Sequence, residues 1–188
     1  MRPLDRLPPR RFETKRLCLR ALEPEDAQLV FDLYASDPVA TRHMSFPCTG
    51  RVEDTRAFVE GSAAYGRGEA SDVEAYTWIF ELRDTGEPIG SGGFGPKDDF
   101  ALAGGYILAT RYWGRGYATE AWTCLVDWAR AQPGVFRIEA THDVDNPASG
   151  RVLAKSGMTR EGVLANWTIY PNVSAAPRDA VMYAWARR

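Results

Sequence analysis

Ten residues constrain this chain more than any others: Arg111-Tyr112-Trp113-Gly114-Arg115-Gly116-Tyr117-Ala118-Thr119-Glu120. The apolar run Gly104-Gly105-Tyr106-Ile107-Leu108-Ala109 precedes them and is long enough for one buried strand. After them, residues 118–131 place Ala121, Trp122, Leu125, Val126 and Ala129 at spacings of three and four, the period of a helix with one apolar face. Strand, glycine-punctuated basic turn and helix together expose unpaired N–H groups at the positive end of a helix dipole. That arrangement is an anion site, most often for phosphate.

The length of 188 residues suits an irregular Pro/Arg-rich arm over residues 1–11 followed by a single domain over 12–188. Six Trp, eight Tyr and eight Phe supply ample material for one core and argue against disorder. A net charge of −2 argues against nucleic acid as the main partner while leaving room for a small phosphorylated ligand at a local basic turn. Cys18, Cys48 and Cys124 are odd in number and widely spaced, so neither a disulfide framework nor a metal pair follows, and a reducing cytoplasm fits best. The basic N-terminus has no apolar stretch behind it to make a signal peptide. No run approaches the ~20 apolar residues of a membrane helix, so a soluble protein with no membrane partner is expected.

Along the chain, residues 12–22 alternate as a strand, and Glu23-Pro24-Glu25-Asp26 opens a helix that stops near Asp37-Pro38. A loop over 38–51 precedes a second helix over 52–65. Residues 75–82 and 88–94, joined by Asp84-Thr85-Gly86, read as a hairpin. The strand and helix around the glycine turn follow. A strand at 135–141 and a short helix after Asp145-Asn146-Pro147, ended by Gly157, come next. Two further strands, 160–170 and 180–186, flank a turn-rich insert at 171–179. The order β-α-α-β-β-β-α-β-α-β-β implies an α+β fold: a mixed sheet, mostly antiparallel, with one parallel crossover at the glycine turn.

Three phosphate-binding patterns compete for that turn. A P-loop needs Gly-Lys, which is absent. A dinucleotide fingerprint fails at its third glycine, where Thr119 stands, although Glu139 falls where a ribose-binding acid is expected. Arg111-x-x-Gly114-x-Gly116 matches the third, the R/Q-x-x-G-x-G/A pyrophosphate loop of acyl-CoA enzymes.

Around that loop stand Glu13-Thr14-Lys15-Arg16-Leu17-x-Leu19-Arg20, Gly86-Glu87-Pro88-Ile89-Gly90 and Asn146-x-x-Ser149-x-x-Val152-Leu153-x-Lys155-x-Gly157-Met158. In order and spacing these motifs resemble the GNAT N-acetyltransferase superfamily, specifically its RimJ/RimL-like branch. The resemblance implies the GNAT fold, with acetyl-CoA as acyl donor, no metal, and a splayed pair of parallel strands. The main chain of Ile107, Leu108 and Ala109 would meet pantetheine. Arg111, Trp113, Gly114, Arg115, Gly116, Tyr117, Ala118 and Thr119 would hold the pyrophosphate, joined by Asn146 and Ser149. Glycines at 114 and 116 suit this role, because they tolerate positive φ and let the backbone approach the ligand. Arg111 serves equally as a brace for the loop.

The implied reaction transfers acetyl directly to a primary amine, on a protein N-terminus or a small molecule, by a monomer or homodimer. A non-catalytic acyl-CoA-binding module is the alternative reading. Many members protonate the departing thiolate with a Tyr in the helix after the Asn. Residues 151–155 contain none, so Ser149 stands in as general acid, or else it is a helix N-cap or first-turn residue. Asn146 reads as a cofactor contact or as an Asx-turn before Pro147. The branch often carries an acid before Gly-Tyr, but this chain has Gly104-Gly105-Tyr106, which leaves the base open among Glu81, Glu120, Glu139, His142 and Asp143. His142, at the end of the splayed strand, is the base or base relay, or a hydrogen-bonded loop histidine. Glu120 equally complements the helix dipole. By the resemblance His43 would line the acceptor mouth, and acceptor recognition should come from residues 38–50 and 165–179. Trp167 and Tyr170 would face the acceptor or pack in a core or dimer contact.

Overall fold

The computed structural model describes Leu4 and residues 6–188, so residues 1–3 and 5 of the expected arm lie outside the described residues. Its strands are Arg11–Glu13 (β1), Leu17–Ala21 (β2), Tyr76–Leu82 (β3), Pro88–Pro96 (β4), Ala101–Leu108 (β5), Arg137–Asp143 (β6), Thr159–Thr168 (β7) and Arg178–Ala186 (β8). They form one sheet in the order β1-β2-β3-β4-β5-β6-β8-β7. Every neighbouring pair is antiparallel except β5 and β6. The expected α+β fold, a mostly antiparallel sheet with one parallel pair, is the fold observed.

The stretch expected as one strand over 12–22 is broken by a tight turn. Thr14 donates its N–H to the Leu17 carbonyl at 2.9 Å, and its hydroxyl accepts from the Leu17 N–H at 3.0 Å. The chain therefore doubles back, and Arg11, assigned to the arm from sequence, already belongs to β1. The β6 strand also shifts: Phe136 is half exposed at its mouth, while pairing with β8 runs on through His142 and Asp143.

Helices cover both faces. The first, α1, starts as a 3-10 turn (Pro24–Asp26), continues as α-helix (Ala27–Val30) and closes in a π turn (Phe31–Ala35). Helix α2 spans Val52–Gly66, α3 Tyr117–Arg130 and α4 Pro147–Lys155. One face carries α1 and α2, joined to the sheet where the Tyr34 hydroxyl meets Ser91 Oγ at 2.6 Å and Ser62 Oγ meets Thr77 Oγ1 at 2.8 Å. On the other face the apolar stripe of α3 buries Ala121, Trp122, Leu125, Val126 and Ala129. There Trp128 stacks on Phe94 with ring centroids 5.8 Å apart. Fully burying a side chain of this size contributes about 1.5–3 kcal/mol.

Register decides where the site falls. Strands β5 and β6 pair only at Ala101↔Arg137, Leu102↔Ile138 and Ala103↔Glu139. Beyond Ala103 they part, and the β6-facing edge of β5 is left without a strand partner over residues 104–108.

Candidate active site

A cavity of about 1110 Å³ opens where the two strands diverge. Its walls come from β5 (Gly104 to Leu108), β6 (Ala140 to His142), the glycine turn, the start of α4 and the loop before α2. An extended amide-bearing ligand can therefore lie against free backbone groups of β5 as an added strand would.

The turn is shaped as its glycines require. Gly114 and Gly116 adopt φ of 76° and 79°, in the left-handed region that side chains disfavour. Space beside Gly114 is open. Gly116 is the N-cap of α3, so no side chain caps the helix, and Tyr117, Ala118 and Thr119 of its first turn line the cavity. Their unpaired N–H groups and the dipole of a 14-residue helix fit a pyrophosphate.

Around that turn the expected residues divide. Trp113, Gly114, Gly116, Tyr117, Ala118 and Thr119 border the cavity; Arg111 and Arg115 do not. The Arg111 guanidinium lies 4.9 Å from the Tyr112 ring centroid and 3.9 Å from the Glu87 carboxylate, in the bracing position. Arg115 offers its carbonyl to Arg16 Nη1 at 3.0 Å. Ile107 and Leu108 line the cavity, although the Leu108 carbonyl already accepts from Trp113 Nε1 at 2.8 Å. Ala109 does not line it, and its N–H is spent on the Ile89 carbonyl at 3.0 Å.

Asn146 caps α4: its Oδ1 accepts from the Ser149 N–H at 3.3 Å. Ser149 is therefore not the cap, and its hydroxyl is free to meet the Tyr106 hydroxyl at 2.9 Å. Tyr106 escaped the sequence reading. Its phenol reaches α4 from β5, across 43 positions of sequence, and also donates to the Ser149 carbonyl at 3.2 Å. Burial pushes this phenol up to about 12, against the opposing hydrogen bond to Ser149, so it stays protonated near neutrality.

The base candidates separate by what they touch. Glu81 pairs with Arg20 at 2.7 Å. Glu139 is held by Lys97 and Arg137, and Glu120 by Thr14 and Arg16. None of the three borders the cavity. His142 is the penultimate residue of β6, at the end of the splayed strand as expected, and it borders the cavity. It is buried, donates Nδ1–H to the Asp143 carbonyl at 2.8 Å, and packs Nε2 beside Gly150 of α4. A Cβ on Gly150 would come within 2.7 Å of that nitrogen. Asp143, next in sequence, is wholly buried and binds Arg178 Nε at 2.8 Å. His43, from the loop before α2, borders the cavity with Nδ1 3.8 Å from Asp143 Oδ1.

The loop at 38–50 lines one end of the cavity, together with Trp167, Thr168 and Tyr170, where the acceptor is expected. The insert at 171–179 does not reach the cavity but fixes that loop. Asn172 Nδ2 donates to the carbonyls of Thr41 (2.7 Å) and Phe46 (3.0 Å), and its Oδ1 accepts from the Cys48 N–H (2.8 Å). Among the described residues no three His, Cys, Asp or Glu side chains are grouped as metal ligands. No helix among them is long and apolar enough to cross a membrane.

Residues 16–159 match the family model described as an acetyltransferase (GNAT) domain. This chain belongs to the GNAT acetyltransferase family. Membership gives the class of enzyme, an N-acetyltransferase that draws on acetyl-CoA. Among curated relatives, the GNAT chain is 32% identical over 180 residues to the uncharacterized N-acetyltransferase YoaA of Bacillus subtilis (strain 168), covering 92% of this chain and 94% of that one. It is 26% identical over 184 residues to the [ribosomal protein uS5]-alanine N-acetyltransferase of Escherichia coli (strain K12), covering 95% and 91%. Its fold matches the ribosomal L7/L12 alpha-N-protein acetyltransferase RimL solved with coenzyme A, with a TM-score of 0.77 at 22% identity, covering 92% and 95%.

Proposed function

We propose that this enzyme moves an acetyl group from acetyl-CoA onto the α-amine of a peptide or protein N-terminus, in the cavity between β5 and β6. The observation that carries the reading is the parting of those strands directly beneath an uncapped helix N-terminus. Pantetheine is accommodated along Gly104–Leu108 and pyrophosphate at Gly114–Thr119, with Asn146 and Ser149 alongside. Acetyl-CoA supplies the activated acyl group, and the chain must orient an amine, accept its proton and protonate the thiolate. In the transfer a C–N bond forms as the C–S bond breaks. Ser149 is the proton donor to the thiolate, backed by the Tyr106 phenol. Holding both reactants in place supplies about 7–11 kcal/mol of the barrier, more than any single acid or base.

The character of the acceptor end favours a monoamine with apolar neighbours. Val39, Phe58 and Trp167 are exposed at its rim, and among the described residues Asp54 is the one carboxylate that lines the cavity. A polycationic small molecule would find few counter-charges there. An α-amine, with an ordinary pKa of about 7.7–8.0 against ~10.4 for lysine, is also the easier amine to deprotonate. Thiol release from acetyl-CoA over a panel of N-terminal peptides, lysine peptides and small amines tests this. Release should require a free α-amine. Saturable CoA binding with no release for any amine would instead indicate an acyl-CoA-binding module.

A further inference from the structure

The acceptor end holds two buried polar atoms that nothing among the described residues satisfies: His43 Nδ1 and the Tyr170 hydroxyl. Thr141 lies close to that phenol without hydrogen-bond geometry. Buried polar atoms normally find partners, and an unsatisfied one costs about 1–3 kcal/mol. Both lie at one end of the cavity, and His43 Nδ1 has the Asp143 carboxylate 3.8 Å away.

We propose that His43 is the base that takes the proton of the incoming amine, with Asp143 positioning its ring. This rests on the acetyl-transfer reading above and names a group that reading leaves open. His43 Nδ1 faces Asp143 Oδ1 at 3.8 Å, somewhat longer than a hydrogen bond, as catalytic contacts often are before substrate binds. Asp143 is itself rigid. It is fully buried, gripped by Arg178 Nε at 2.8 Å and Nη2 at 3.2 Å, and accepts from the Asp145 N–H at 2.7 Å. A small approach of the ring turns the Nδ1 contact into a hydrogen bond, which fixes the proton on Nδ1 and leaves the Nε2 lone pair for the amine. The neighbouring His142 also lines the cavity, but its Nδ1–H is held by a main-chain carbonyl, so no carboxylate backs its ring as Asp143 backs that of His43.

The charges around His43 set the form it takes. Burial lowers its pKa, Asp143 and Asp145 oppose this, and Arg42 and Arg178 reinforce it; the net direction is down. Near neutrality the ring is therefore uncharged and able to accept a proton. Asp143 would be raised by burial, but the Arg178 hydrogen bonds and the Asp145 amide hold it below the usual carboxylate range, so it stays ionised.

The test is the pH dependence of kcat at saturating acetyl-CoA with an N-terminal Ala or Ser peptide. Wild-type kcat should rise through an ionisation below the ordinary histidine value of ~6.5. In His43→Asn, whose amide keeps a donor toward Asp143 but offers nothing in place of Nε2, kcat at pH 7 should fall by about 10². Its rising limb should move to the amine's own pKa, about 8, so the deficit shrinks in alkaline solution. Asp143→Asn should move the wild-type limb lower still, because the imidazolium loses its counter-charge. If His43→Asn fails to bind acetyl-CoA, His43→Gln reads the same limb. A limb left in place, or a deficit equal at every pH, would overturn the assignment while leaving acetyl transfer intact. Absence of amine-dependent turnover in the wild type would overturn both.

Discussion

Arg16 and Glu120, 104 positions apart, join at 2.6 Å between Nε and Oε2, and through them the first β-turn of the chain grips the first turn of α3. Glu120 Oε1 also accepts from the Thr14 hydroxyl and the Arg16 N–H, both at 2.7 Å. The same guanidinium reaches the Arg115 carbonyl and lies 4.4 Å from the Tyr117 ring centroid. The Glu-Thr-Lys-Arg-Leu motif thus acts as a buttress for the glycine turn.

Removing that buttress should loosen the turn. Burial raises the Glu120 pKa, but the hydrogen bonds from Thr14 and Arg16 hold it below the usual range. Its stabilisation is therefore complete above the unfolded value of about 4.3 and is lost as pH falls through the lower folded value. Glu120→Ala should cost about 1.5–3 kcal/mol, as for hydrogen bonds to a charged group, and weaken CoA binding about tenfold. Denaturant melts at pH 7 and calorimetric CoA titration check both. The wild-type advantage should shrink in melts below about pH 4.

The turn itself should tolerate no side chain at Gly116. Its φ of 79° costs a non-glycine residue roughly 1–2 kcal/mol, and Arg16 Nη2 lies 3.5 Å from where a Cβ would sit. Gly116→Val should leave the sheet folded, as read by circular dichroism, while abolishing measurable CoA binding. Retained affinity would remove the turn from the cofactor site.

How much of this was open to inspection in the sequence follows from range. The β5–turn–α3 unit and the 76–96 hairpin are written in local periodicity and glycine placement, and both form where expected. Partnerships between distant side chains carry no such trace: Arg16 with Glu120, Tyr106 with Ser149 and His43 with Asp143 each depend on sheet order. The missing helical Tyr illustrates this. Residues 151–155 hold no Tyr, and the phenol that meets Ser149 comes from β5. The turn at Thr14 was hidden because alternation continues across it.

The Tyr106 phenol offers a direct probe of thiolate protonation. Tyr106→Phe should lower kcat about tenfold with CoA affinity unchanged, because only the hydroxyl at 2.9 Å from Ser149 Oγ is lost. If the two hydroxyls act as one relay, the double change with Ser149→Ala should be no worse than Ser149→Ala alone. Steady-state thiol release at pH 7 measures all three variants.

Asn172 should govern the acceptor and spare the cofactor. Asn172→Ala strands the Phe46 carbonyl and the Cys48 N–H and leaves the Thr41 carbonyl with the Met44 N–H alone. Each buried group left unpaired costs about 1–3 kcal/mol. The acceptor KM should rise about tenfold or more while the Kd for CoA stays within twofold, a split that paired kinetic and calorimetric titrations resolve.

The most direct test pairs acetyl-CoA and the wild-type enzyme with two versions of one peptide, N-terminally free and N-terminally blocked, both carrying an internal lysine. Mass spectrometry locates the product while thiol release counts turnovers. Acetyl transfer at the β5–β6 cavity to an α-amine predicts one acetyl on the free N-terminus for each thiol released, with no modification of the blocked peptide. Binding of CoA without amine-dependent release, or acetyl on the lysine of both peptides, would contradict it.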